Sequence, residues 1–388
     1  MKQVLLALRL ILVLGLLMKP TPISSQTGSQ QPAPVEVSVP FAPIPVPVAG
    51  KNTLIYELHL TNFAHREIVL SRLEIRNNAT ASAPLAVYEG DSLASLMQPL
   101  ALYGQPPDNR RIGVGVRTIV YIWLTLDADK PLPTVLRHGL TFKQTASNDN
   151  AAPTEMFSQA TVAVSKDKPV IIGPPLRGDI WLAGNGPDNG PAGHRRALTV
   201  VDGVARLASR FAIDWVQYGK NDQDFTVDRY NNADYYAYGS EVLAVADGVV
   251  SSIKDGITEN VPGPNSRSIP ITVDTMAGNN VILNLGRDRY AVYAHLQPGS
   301  IRVKSGQRIR KGQVLGLLGN SGNSDAPHLH FHICNANSAL GCEGLPYLIE
   351  SFELIGKGGR ALPNGRKEER TNEMPLMNDV INFPPVKR

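Results

Sequence analysis

Short apolar runs with a period of two, broken by Gly, Pro, Asn and Asp, recur along nearly the whole chain, and no long run with a helical period interrupts them. "TLIYELHLTNF", "EIVLSRLEIRN" and "RTIVYIWLTLD" carry this alternation in the first half; "EVLAVADGVVSSIKD", "NNVILNLG", "YAVYAHL" and "HLHFHIC" carry it in the second. A strand sends successive side chains to opposite faces, so such runs become half-buried sheets. The chain is therefore expected to be mainly β. Its 34 glycines and 30 prolines supply the turns that many short strands require.

The 388 residues suggest two domains. Residues 36–165, with several short strands between turn-rich pieces, read as an N-terminal β-sandwich-like domain. Residues 166–190 are dense in Gly, Pro and Asn and read as an extended linker. Residues 191–356 form a second, antiparallel β-domain, and 357–388 a polar tail expected to wrap the surface or to be partly loose. At the start, "MKQVLLALRLILVLGLLMKPTPISSQ" has the order of a secretory signal peptide (1–25), followed by a polar linker over 26–35. Its apolar run from Leu10 to Met18 is too short to span a bilayer comfortably, so no stable membrane insertion is expected after cleavage, and the mature chain is expected to be periplasmic, extracellular or in the cell envelope. The formal net charge of +4 comes without a basic stripe or an Arg-rich helix, which argues against a nucleic-acid partner. Oligomeric state has no signature here.

The only two cysteines, Cys334 and Cys342, lie in "CNANSALGC". In an exported chain they favour a disulfide closing a short loop. Two metal-ligand thiolates are the alternative, weakened by the absence of further ligands at zinc-finger spacing.

Five of eight histidines fall in the second half: His194, His295, His328, His330 and His332. The last three alternate along one strand and so share a face. Asp214, in "FAIDW", is a carboxylate in an apolar run, costly to bury unless something positive meets it. Two imidazoles with one carboxylate make a catalytic zinc shell with one position open. His59, His65 and His138, ungrouped in the first half, read as ordinary strand or surface histidines.

"YGSEVLAVADGVV" (238–250), "GNNVILNLG" and "YAVYAHL" (278–296), and "VKSGQRIRKGQVLGLLGNSGNSDAPHLHF" (303–331) follow one another as in the lysostaphin/LytM-type (β-lytic) zinc metallopeptidases, which the chain resembles over roughly residues 190–350. The resemblance implies an antiparallel sheet with a groove across it, one Zn2+ per chain, and hydrolysis of peptide bonds in peptidoglycan cross-links or stems. It matches His330 and Asp214 to zinc ligands and His295 and His328 to catalytic histidines. The family's usual third ligand lies four residues before the aspartate, where this chain has Arg210, a permanently protonated side chain unable to bind metal. His194 is expected to replace it, returned to the site by a hairpin built from "ALTVVDGVARLAS" (197–209). His332 is left to orient a ligand from behind or to cap the groove.

Two rival readings are open. A degenerate module that binds or activates other wall hydrolases is kept alive by Arg210. A biotinyl- or lipoyl-type carrier hairpin is disfavoured because "VKSGQRIRKGQVLG" offers no M-K-M or D-K-A tripeptide. The Tyr-, Asp- and Asn-rich segment 221–239 is either a peptide-gripping groove edge or solvated decoration; it lacks the Gly and terminal Glu of a calcium loop.

Overall fold

A computed structural model describes residues 31–78, 83–100, 108–144, 155–191, 193–219, 223–358 and 360–383. The segment read as a signal peptide lies outside them. Strands dominate, and no helix among the described residues is long and apolar enough to cross a membrane.

Two sheets form the N-terminal sandwich. One runs Val35–Ser38, Lys51–Asn62, Arg117–Leu126, Met97–Pro99, with Pro45–Val48 also paired to Lys51–Asn62. The other runs Gln31–Pro32, Glu155–Ala163, Val135–Gln144, Ile68–Asn77, Ala86–Glu89. Leu54, Tyr56, Leu58 and Leu60 meet Leu70, Leu73, Leu140 and Phe142 between the sheets, as period-two alternation requires. Gln31–Pro32, expected in a linker, instead pairs parallel with Glu155–Ala163.

Lys51–Asn62 is buried on both faces from Thr53 onward. The outer face of this sheet turns toward the second half of the chain: Ile55, with Val46 and Val48 of the neighbouring Pro45–Val48, shares a core with Ile172, Trp181 and Trp215, and Ile119 and Tyr121 of Arg117–Leu126 pack on Leu207. The sandwich and the second domain are thus joined by apolar burial, the strongest term in such contacts.

The second domain is built on one long sheet. Its order is Val170–Ile172, Tyr347–Lys357, Asp379–Phe383, Gly178–Gly184, Ile213–Gln217, Leu329–Cys334, Arg289–Leu296, Asn279–Gly286, Gly248–Lys254, Arg308–Ile309. Two expectations change. The stretch 166–190 is not merely a connection: it supplies two strands, because Ile172, Leu176, Trp181 and Ala183 are apolar side chains that bury almost completely. Its glycines serve an irregularity between Gly178 and Trp181, where Gly178 takes φ 91 and Ile180 φ 62. Among its described residues the tail is neither a mere surface wrap nor loose throughout. Asp379–Phe383 pairs on both sides, with Gly178–Gly184 and Tyr347–Lys357, and buries Ile381 and Phe383.

Candidate metal centre

The sheet order sets the site. Ile213–Gln217 lies between Gly178–Gly184 and Leu329–Cys334, with Asp214 directly opposite His330. On the far side of Leu329–Cys334, Ala294 stands opposite His330, which brings His295 to the same end of the sheet. His295 itself takes φ 65, a strained backbone for a non-glycine residue and of the kind that collects at functional sites. Its Nδ1–H donates to the Ser321 carbonyl at 2.8 Å, which leaves Nε2 able to face the cavity as a proton acceptor.

His194 enters from outside this sheet. It opens a short 3-10 turn, His194–Arg196, followed by a separate hairpin in which Thr199–Val201 pairs with Val204–Arg206. The hairpin returns the chain so that His194 Nε2 lies 3.3 Å from Asp214 Oδ2, while its Nδ1–H donates to the Ala212 carbonyl at 3.4 Å. His330 Nδ1 lies 3.0 Å from Asp214 Oδ1. His194, Asp214 and His330 each offer one ligand atom within 4.8 Å of the others. His328 Nε2 comes within 3.3 Å of Asp214 Oδ1, with its Nδ1–H given to the Ala326 carbonyl at 2.8 Å.

Burial alone would raise the Asp214 carboxyl, but the imidazoles of His194 and His328 outweigh it and hold the group well below the usual carboxylate range. Burial pulls His328 and His194 down, but Asp214 more than offsets it and both end above an ordinary histidine. Burial, then the neighbouring His328 and His330, holds His295 well below. The two expected catalytic imidazoles are therefore pushed in opposite directions.

His332 is buried beside His330, not at the rim: His330 Nε2 lies 3.1 Å from His332 Nδ1. Arg210, by contrast, stands apart from the cluster, buried between Glu57 and Glu343. Cys334 and Cys342 are joined as a disulfide with Cα atoms 5.9 Å apart, which removes the thiolates as ligands beside His332. His65 is exposed; His59 and His138 are buried in strands of the sandwich.

The sequence reading missed Asn185. It follows the strand Gly178–Gly184 at φ 46, and its Nδ2 donates to Asp214 Oδ2 at 2.9 Å. An Asn in a turn is too common to single out, so nothing in "GNGPDNG" marked it. The histidines open onto a cavity of about 420 Å3, with Met276, Val292 and Leu340 on its apolar walls and Asp224 and Arg267 at its polar ones. Arg267 is held by Asp325 at 2.7 Å. Among the described residues of the 221–239 segment, Asp224 reaches this cavity.

Residues 232–341 match the model of Peptidase family M23. An "Uncharacterized metalloprotease" of Haemophilus influenzae is 48% identical over 59 residues, 15% of this chain and 12% of that protein. The "Peptidoglycan DD-endopeptidase ShyA" of Vibrio cholerae is 33% identical over 105 residues, 27% of this chain and 20% of that protein. The matched stretch thus spans a fifth or less of either relative. Among solved structures, the catalytic domain of lysostaphin from Staphylococcus simulans is 19% identical with a TM-score of 0.23, covering 43% of this chain and 88% of that one. A zinc-containing peptidase from Vibrio cholerae is 14% identical with a TM-score of 0.20, covering 79% and 84%. Overlaps this loose add nothing to the fold that the strands above establish.

Proposed function

We propose that this chain, which carries a peptidase family M23 domain of the lysostaphin/LytM type, is an exported zinc metalloendopeptidase that hydrolyses peptide bonds in peptidoglycan cross-links or stem peptides. The observation that carries this reading is the meeting of His194, Asp214 and His330 from three separate segments, with their ligand atoms within 4.8 Å of one another. Two imidazoles and one carboxylate suit a single Zn2+ with an open position. The outward sides of the ligands fit as well: His194 gives its Nδ1–H to Ala212, and His330 can give its Nε2–H to His332, so each turns its other nitrogen toward the carboxylate. The name of the Vibrio cholerae relative supports the substrate class, and the leader-like N-terminus supports export.

Bound zinc would polarise a scissile carbonyl and bring the pKa of a water toward neutrality. The protein's own part is proton handling and placement. His295, neutral and fixed by Ser321, takes a proton at Nε2. His328, fixed by its Nδ1–H on the Ala326 carbonyl, turns Nε2 to the Asp214 side of the cavity, where in its protonated form it donates to the oxygen on which negative charge develops or to the leaving amine. Asn185 holds one carboxylate oxygen of Asp214 and so limits its rotation. The cavity's apolar walls seat an extended peptide segment and thin out competing water.

Arg210 raised the alternative of a non-catalytic module. Its burial away from the cluster, with His194 beside Asp214, favours the catalytic reading. The test is digestion of purified peptidoglycan by the zinc-loaded full chain, with released fragments identified by mass spectrometry and a chelator control. Cleavage of peptide bonds is expected. Zinc-loaded protein that leaves both walls and small wall peptides intact overturns the proposal in favour of the binding module.

A further inference from the structure

The segment that presents His194 lies outside the long sheet. The hairpin of Thr199–Val201 and Val204–Arg206 forms its own two-stranded unit, and the one hydrogen bond from the His194 ring to backbone is a long 3.4 Å. Part of what fixes this segment comes from residues just before it, since Arg195 Nη1 donates to Asn189 Oδ1 and Arg196 Nε to the Gly190 carbonyl at 3.0 Å; the rest comes from the N-terminal sandwich. Arg195, next to His194 and 3% exposed, reaches into the sandwich and donates from Nη2 to the carbonyls of Tyr56 at 3.1 Å and Ile122 at 2.6 Å. Its Nε lies 3.6 Å from Oε1 of Glu57, whose other oxygen accepts from Arg210 Nε at 2.9 Å. Glu57 is itself 2% exposed. A single carboxylate of the sandwich therefore faces both ends of the segment between His194 and Asp214, hydrogen-bonded to Arg210 and paired by charge, without a hydrogen bond, to Arg195. Arg210 is completed on its far side by Glu343 at 2.8 Å and the Gly344 carbonyl at 3.0 Å, so two buried arginines are balanced by two acids.

Such a cluster is a poor way to gain stability, because desolvating four charges offsets most of their attraction. Its geometric effect is large: buried guanidinium forks bond in few orientations. We propose that Glu57 is a positioning residue for the metal centre, acting through Arg195 to fix the turn that presents His194, so that the sandwich is a structural part of the site. This rests on the reading of His194, Asp214 and His330 as a zinc site.

The test compares three variants of the full chain by zinc affinity, using competition with a chelating dye, and by the visible absorption of the Co2+-loaded protein. Glu57→Gln and Arg195→Lys are expected to weaken zinc binding about 10-fold or more, the scale typical of outer-sphere partners, and to change the Co2+ spectrum. Glu343→Gln disturbs the same cluster on the side away from His194; it is expected to lower the melting temperature with affinity and spectrum unchanged. Arg195→Lys keeps the buried charge, so it decides the matter should Glu57→Gln fail to fold. Wild-type affinity in Arg195→Lys, or equal losses in Glu57→Gln and Glu343→Gln, overturns the positioning role while the zinc site stands. A wild type that takes up neither Zn2+ nor Co2+ overturns the metal reading, and this inference with it.

Discussion

Nε2 of His330 faces Nδ1 of His332 at 3.1 Å, a half-buried and a buried imidazole on one strand face with the first also reaching Asp214. With a cation at His330 Nδ1, the ring proton sits on Nε2 and His332 accepts it, which fixes both tautomer and ring orientation. His332→Ala is therefore expected to weaken zinc binding about 10–100-fold with the β-sheet circular dichroism unchanged. Chelator competition measures it. An affinity equal to wild type would reduce His332 to a packing residue.

Removing a direct ligand is expected to cost more than removing such a supporting partner. His194→Ala should lose zinc by more than that 10–100-fold range, together with wall hydrolysis. His65→Ala, at an exposed position of the sandwich, serves as the control and should match wild type. Metal analysis of the purified proteins reads both; stoichiometric zinc in His194→Ala would remove His194 from the ligand set.

Part of this site was legible in the sequence and part was not, for a physical reason. His328, His330 and His332 share a face because strand geometry is local and has a period of two, and Asp214 stood out as a charge in an apolar run. The hairpin that returns His194 was also readable, from "VVDGVA", where Asp202 and Gly203 take φ 49 and 76. What holds it was not: Glu57 is far from Arg195 and Arg210 in sequence, and an acidic residue in an amphipathic strand ordinarily faces water. The linker and tail misled for a related reason. Gly and Pro in 171–190 outweighed the apolar Trp181 and Ala183, although "DVINF" in the tail carried a strand signal of its own.

The backbone at His295 shapes the choice of variant there. Ala would disfavour φ 65, whereas Asn tolerates the left-handed region and its amide can still donate to the Ser321 carbonyl. His295→Asn is expected to retain zinc and lose about 10²–10⁴ in turnover, the usual contribution of a positioned proton carrier. Zinc content and hydrolysis rate on the same preparation separate the two effects. Turnover near wild type would assign the proton transfer elsewhere.

The disulfide of Cys334 and Cys342 closes a short loop, with a sequence separation of 8, just before Glu343 enters the buried ion cluster. Restricting the unfolded chain over a loop this short contributes about 2–3 kcal/mol by the chain-entropy relation. Cys342→Ser should lower the thermal midpoint by several degrees while leaving zinc affinity intact, since neither sulfur belongs to the ligand set. Scanning calorimetry with parallel metal titration checks this, and loss of zinc along with stability would link the loop to the site.

His138 gives the sandwich a pH dependence of its own. It is fully buried, its Nδ1–H donates to the Ala160 carbonyl at 3.2 Å, and its Nε2 accepts from the Tyr56 hydroxyl at 2.8 Å. Burial lowers its pKa from 6.5 to about 4. As pH falls below 6.5 the unfolded chain binds the proton before the folded one does, so folding stability drops through the window from 6.5 to about 4 and is complete above it. A shift of this size corresponds to on the order of 3 kcal/mol. His138→Gln keeps an acceptor for Tyr56 and removes the titration. It should be less stable than wild type at pH 7, with the difference shrinking as pH approaches 4. Urea midpoints at several pH values read it directly, and two curves that stay parallel between pH 7 and 4 would show that His138 is protonated equally in both states.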